Sequence, residues 1–146
     1  MSAQFAEAGL RFQYPENWTL DREGGRPGCR SVTVSSPSTA FWTLSIHPRA
    51  SDPAELIEAA ALAMREEYKG LESEETEEEI AGYELVGQNL SFYYLDLIST
   101  AWIRCVRTDR ATYLIFCQAE DREFEQISDV FRAMMTSFLS NLDPAL

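Results

Sequence analysis

Apolar and polar residues alternate along Leu10-Arg11-Phe12-Gln13-Tyr14 and the alternation stops at Pro15, which predicts a strand closed by a turn. Trp18 then opens a short second strand, and the segment from Asp21 to Gly28, with its glycines and Pro27, predicts a loop. Arg30–Ser35 and Ala40–His47 are rich in Val, Thr, Phe and Trp and predict two strands joined through Ser36-Pro37-Ser38-Thr39. The period then changes. Asp52 is a suitable N-cap, Pro53 fits the first helical position, and Glu55 lies in the first turn, where the helix dipole favours a negative charge. Leu56, Ala60, Ala63 and Met64 recur at three- and four-residue spacing as one apolar stripe, and Gly70 is the expected stop.

Beyond a run of glutamates the period returns to two. Tyr83–Leu95 predicts a long strand that Gly87 bends or bulges, and Ser99–Thr108 and Ala111–Ala119 predict a hairpin turning at Asp109-Arg110. Tyr113-Leu114-Ile115-Phe116-Cys117 is apolar on both strand faces, which predicts a central strand covered on both sides. A second helix starts near Asp121, with Phe124, Ile127, Val130, Phe131, Met134 and Phe138 on one side and Arg122, Glu125, Asp129 and Arg132 on the other; it ends near Ser140-Asn141, before Asp143-Pro144. These elements predict an α+β fold: an antiparallel sheet of six to seven strands flanked by two helices, in one domain spanning residues 1–146.

The opening Phe12-Gln13-Tyr14-Pro15-Glu16-Asn17-Trp18 resembles the first strand, Tyr-Pro turn and Trp of the PsbP/DcrB-like superfamily. The ending, an apolar strand, an acidic helix start and the closing Met134-Met135-Thr136-Ser137-Phe138, is similar as well. The resemblance implies an α/β/α sandwich around an antiparallel sheet. Members include the photosystem II extrinsic protein, DcrB-type lipoproteins, type VI secretion chaperones and a Ran-binding nuclear-import factor. They share a scaffold and little chemistry, and most bind other proteins, so the resemblance implies a binding module and carries no functional residue with it.

Charge narrows the partners. The net charge is −12, and Glu72, Glu74, Glu75, Glu77, Glu78 and Glu79 supply six negative charges within eight residues. Such a surface repels nucleic-acid phosphates and anionic lipid headgroups, so nucleic-acid binding is not expected, and apolar runs no longer than Tyr113–Cys117 are too short for membrane insertion. The run reads in three ways. It is a solvated loop or edge strand that charge protects from pairing, a docking surface for a basic partner, or a cation site. Against the last, it lacks the alternating Asp/Asn and the Gly of a calcium loop.

Candidate chemistry is sparse. One histidine, His47, precludes a multi-histidine metal site, and Cys29, Cys105 and Cys117 lack the close spacing of a zinc site. No Gly-rich nucleotide loop or Gly-x-Ser-x-Gly elbow is present, so no cofactor is expected. An odd cysteine count and the absence of a signal-peptide pattern in Met1–Leu10 point to reduced thiols and a cytoplasmic, soluble protein. His47 would act as a base only beside a nucleophile; otherwise it is a surface or hydrogen-bonded histidine. Most of Phe41, Trp42, Phe92, Tyr93, Tyr94 and Trp102 are expected in the core, with a minority free to line an apolar groove. Arg104, Arg107 and Arg110 are expected to pair with nearby glutamates near the hairpin end. The expectation is therefore a non-enzymatic protein-binding or adaptor domain. The alternatives are a carrier of a small apolar ligand in a sheet–helix groove and, third, an enzyme.

Overall fold

The computed structural model describes residues 2–7, 9–22 and 30–142. Cys29, most of the glycine-rich loop before it and the terminal Asp143-Pro144 lie outside the described residues. Among the described residues nine strands and two helices follow in the order β1 (Ser2–Glu7), β2 (Leu10–Pro15), β3 (Thr19–Asp21), β4 (Arg30–Ser35), β5 (Phe41–Pro48), α1 (Pro53–Glu67), β6 (Glu72–Ile80), β7 (Tyr83–Tyr94), β8 (Leu97–Arg107), β9 (Ala111–Glu120) and α2 (Asp121–Ser140). Seven strands form one antiparallel sheet in the order β3-β4-β5-β9-β8-β7-β6, while β1 and β2 form a separate hairpin.

The predicted α+β sandwich is what forms. The doubly apolar Tyr113–Cys117 lies on β9, the middle strand of the sheet. Tyr113, Ile115 and Cys117 enter the larger core, where Phe12 from the hairpin and Phe131, Met135 and Phe138 from α2 meet Trp42 and Leu44. Each such large side chain contributes roughly 2–3 kcal/mol of transfer free energy on burial. Leu114 and Phe116 turn to the other face and pack beside a smaller core, in which Ile57, Ala61 and Met64 of α1 meet Leu90, Phe92, Ile103 and Cys105. Strand β2 is the predicted Leu10–Tyr14 strand, but its partner β1 has no sequence signal: of Ser2–Glu7 only Phe5 is buried, so no apolar period marks it.

The local signals around α1 hold. Asp52 caps the helix through Ala54 N–H, and Pro53 stands at its start. The stripe, however, is rotated by one residue from the predicted one. Ile57, Ala61 and Met64 are buried, Leu56 and Ala60 flank them, and Ala63 is exposed. Gly87 does not bulge β7, since its register runs unbroken from Val86 to Tyr94 against β8. It is needed for close approach instead: a Cβ there would sit 1.7 Å from the Ile103 carbonyl oxygen.

Candidate protein-docking surface

The glutamate run is the edge strand β6, paired along its length with β7 and unpaired on its other side among the described strands. Glutamate is a poor strand former, and six in eight positions would repel strongly in a helix. As a strand the run divides its charge between two faces. Glu72, Glu74 and Glu78 share one face with Thr76 and Ile80; Glu75, Glu77 and Glu79 share the other with Ser73. Ile80 anchors the strand in the larger core. Glu72, Glu74, Glu75, Glu77 and Glu79 are exposed, as expected of a solvated edge.

Glu78 departs from that expectation. It accepts from Arg104 Nε on β8 at 2.5 Å and from Arg132 Nη1 on α2 at 2.6 Å. Burial by itself would push its carboxyl up, but the hydrogen bonds and charges of the two guanidiniums outweigh that and hold it below the usual carboxylate range. Arg104 is almost fully buried, and besides Glu78 it donates to the Gln88 and Ile103 carbonyls and to Asn89 Oδ1. Both guanidiniums lie over the Trp102 ring, at 5.2 and 5.0 Å from its centroid. Glu78 therefore ties the edge strand to β8 and α2, a structural role that the other five glutamates lack. Arg107, expected to pair with a glutamate, instead donates to the Ser51 carbonyl at 2.6 Å.

The outer end of the same strands carries a feature the sequence pattern misplaced. Tyr93 and Tyr94, two of the six strand aromatics of which most were expected in the core, are 68% and 45% exposed; Leu95 is 81% exposed, and Leu97 and Ile98 are also exposed. They form the tip of the β7–β8 hairpin, whose two-residue turn places Leu95 and Asp96 at φ 51° and 63°. That is the left-handed region, where tight hairpin turns favour Asn-Gly and where leucine is strained. Beneath the tip, the Tyr68 ring lies 4.4 Å from Phe92 and 5.9 Å from Tyr94, which braces the hairpin on the end of α1. Glu72 pairs with Ser91, so the acidic strand begins two residues from Tyr93 and the apolar and acidic surfaces are continuous.

Two clefts flank β6. One of about 500 Å³ lies toward α1 and is lined by Ile57, Glu58, Glu75, Glu77, Val86 and Gln88. The other, about 270 Å³, lies beside Glu72, Glu74, Asn89, Ser91, Thr100 and Trp102. Elsewhere, the β1–β2 hairpin and α2 enclose a more apolar groove of about 340 Å³ lined by Tyr14, Pro15, Val130, Ala133 and Met134.

The catalytic alternative has one geometric point in its favour. Ser45 Oγ lies 3.0 Å from His47 Nε2 on the same face of β5, and partial burial lowers the histidine's pKa. Yet β5 is an inner strand, laddered to β9 over Phe41–Pro48 and to β4 over Phe41–Ile46, so the peptide groups around Ser45 are engaged in the sheet rather than aimed at a bound substrate. The described thiols are poor nucleophiles. Burial pushes Cys105 up to about 11 and raises Cys117 further, so neither supplies thiolate at neutral pH. Among the described residues no group of three or more His, Cys, Asp or Glu side chains could hold a metal ion, and no helix is long and apolar enough to cross a membrane.

No sequence-family model and no curated protein sequence matches this chain. The architecture defines its class: an antiparallel α/β/α sandwich of the PsbP/Mog1-like fold. The solution structure of PsbP from the cyanobacterium Synechocystis superposes with a TM-score of 0.63 at 12% identity, covering 93% of this chain and 90% of that one. The Ran-binding protein Mog1p of Saccharomyces cerevisiae gives a TM-score of 0.53 at 9% identity, covering 97% and 92%. A Pseudomonas aeruginosa protein of unknown function gives 0.53 at 12% identity, covering 93% and 94%. At these identities the likeness is one of fold.

Proposed function

We propose that this chain is a non-enzymatic protein-binding domain, an adaptor, that docks its partner on β6, β7 and β8. The observation that carries this reading is the exposed tip from Tyr93 to Ile98, which adjoins the acidic strand. Aromatic and aliphatic side chains grouped at the surface of an intact fold are the usual anchors of an interface, and a charged border steers the encounter. Glu72, Glu74, Glu75, Glu77 and Glu79 would capture a partner whose contact surface is basic. Glu78 takes no part in this, being engaged by Arg104 and Arg132. Mog1p, with a similar fold, is a Ran-binding protein, which supports a protein-recognition reading of the scaffold. The free, buried Cys105 and Cys117 suit a reducing, cytoplasmic setting.

The groove between the hairpin and α2 supports a second reading, a carrier of a small apolar ligand, because Tyr14, Pro15, Val130 and Met134 give it an apolar lining. The test compares affinity capture from native lysate by three proteins: wild type, a tip variant carrying Tyr93→Ser, Leu95→Asn and Leu97→Thr, and Ala133→Trp, which fills the groove. A protein retained by wild type and Ala133→Trp and lost by the folded tip variant supports docking at the tip. Retention by the tip variant together with loss by Ala133→Trp overturns it in favour of the groove.

A further inference from the structure

The free side of β6 and the cleft beneath it have a geometry that fits one kind of occupant. At nine residues β6 spans about 30 Å, and every second residue turns its N–H and C=O away from β7. The opposite edge, β3, has only three residues. A long open edge is a template for a further strand. The charges decide which strand it accepts. A second copy of β6 would bring glutamates against glutamates, and like charges across a ladder repel, so the edge is guarded against its own kind. A segment with Lys or Arg at alternate positions meets Glu75 and Glu77 across the new ladder, where Cβ atoms of facing residues lie about 5 Å apart.

A second observation points into the same place. Gln88 is 8% exposed and lines the cleft with Glu58, Glu75 and Glu77, and its Oε1 has no hydrogen-bond partner among the described residues. A buried carbonyl oxygen without a donor is uncommon and costly. That oxygen is closed off from solvent, so an ammonium or guanidinium entering from the edge supplies the missing donor once the Gln88 amide turns into the cleft. The cleft, about 500 Å³, has Ala54 and Ile57 along its α1 wall, apolar surface suited to the methylene stem of such a side chain.

We propose that β6 receives a basic, extended segment of a partner protein as an eighth strand, with alternate Lys or Arg side chains entering the cleft of Glu58, Glu75, Glu77 and Gln88. This rests on the reading of the β6–β8 surface as a protein-docking site and specifies how the acidic part of it works.

The probe is a fluorescent nonapeptide of alternating Arg and Thr, used with two analogues. One is N-methylated at every Thr and the other at every Arg. A strand uses the N–H groups of one alternate set only, so the two analogues should differ. One should bind like the parent and the other about tenfold or more weaker by fluorescence anisotropy at low salt. Glu75→Gln with Glu77→Gln should weaken the parent peptide, and so should Gln88→Leu, while the urea midpoints stay at or above that of wild type. If both methylated peptides bind like the parent, docking by charge stands and strand addition is overturned. If no peptide binds, strand addition and the acidic edge are both overturned, and the apolar tip remains to be judged by the tip variant alone.

Discussion

Arg104 on β8 reaches past β7 to Glu78 on the edge strand, with Nε 2.5 Å from Oε2, and the other carboxylate oxygen lies 2.6 Å from Arg132 Nη1 on α2. Removing one partner of a buried pair leaves the other charge uncompensated in the interior. Glu78→Gln is therefore expected to lower stability by about 2–3 kcal/mol in urea denaturation. Arg104 keeps its Asn89 and carbonyl acceptors, which moderates the loss. Glu75→Gln and Glu77→Gln, both exposed, should change stability by no more than about 0.5 kcal/mol.

The same pair has a pH signature. The carboxyl of Glu78 is held low in the folded state, whereas in the unfolded chain it titrates at about 4.3. Its contribution is thus fully present above that value and lost as pH falls through the lower, folded one. The stability gap between wild type and Glu78→Gln should be constant from about pH 8 to pH 5.5 and should close in more acid solution. A gap that widens toward low pH would contradict the ion-pair assignment.

How far the sequence carries the fold is visible in these residues. Asp52-Pro53 announces α1 because capping is local chemistry, and Tyr113–Cys117 announces the middle of the sheet because a strand apolar on both sides must be covered on both. Two features depend on partners distant in sequence. Glu78 reads like its five neighbours until the register brings Arg104 across from β8, although an arginine within Ala101-Trp102-Ile103-Arg104-Cys105-Val106 is a signal of a buried ion pair. Tyr93 and Tyr94 are not told apart from the buried aromatics by their pattern, because their hydrophobicity is that of a strand and periodicity does not say where the covering helix stops. Their turn, Leu95-Asp96, lacks the glycine or asparagine by which such turns are recognised. Ser45 and His47 share a strand face, which alternation alone could have shown.

The hairpin tip gives stability and recognition opposite signs. Replacing Leu95-Asp96 by Asn-Gly relieves two left-handed residues that lack the preferred side chains, and should raise stability by about 1 kcal/mol. The same change removes the most exposed apolar side chain of the tip and should weaken partner binding. Thermal unfolding and the capture assay read the two effects separately. A variant that gains stability with capture unchanged would remove Leu95 from the interface.

His47 is a structural residue in this account. His47→Ala is expected to change stability at neutral pH by less than about 1 kcal/mol. Partial burial lowers the histidine's pKa in the fold, so its neutral form is favoured there, and stability is lost as pH falls from the unfolded value near 6.5 through the folded one. Between about pH 7.5 and 5.5 wild type should therefore lose more stability than His47→Ala. Equal slopes, measured by urea denaturation at the two pH values, would contradict the burial of the ring.

A partner docked on the β7–β8 tip and its acidic neighbour would lie within crosslinking reach of Leu95. Site-specific photo-crosslinking tests that docking most directly, with p-benzoylphenylalanine placed at Leu95 in one protein and at Thr43, on the opposite half of the sheet, in another. A discrete protein adduct is expected from Leu95, reduced when Glu75 and Glu77 are both changed to Gln, and none from Thr43. A discrete adduct from Thr43 with none from Leu95 would contradict that docking.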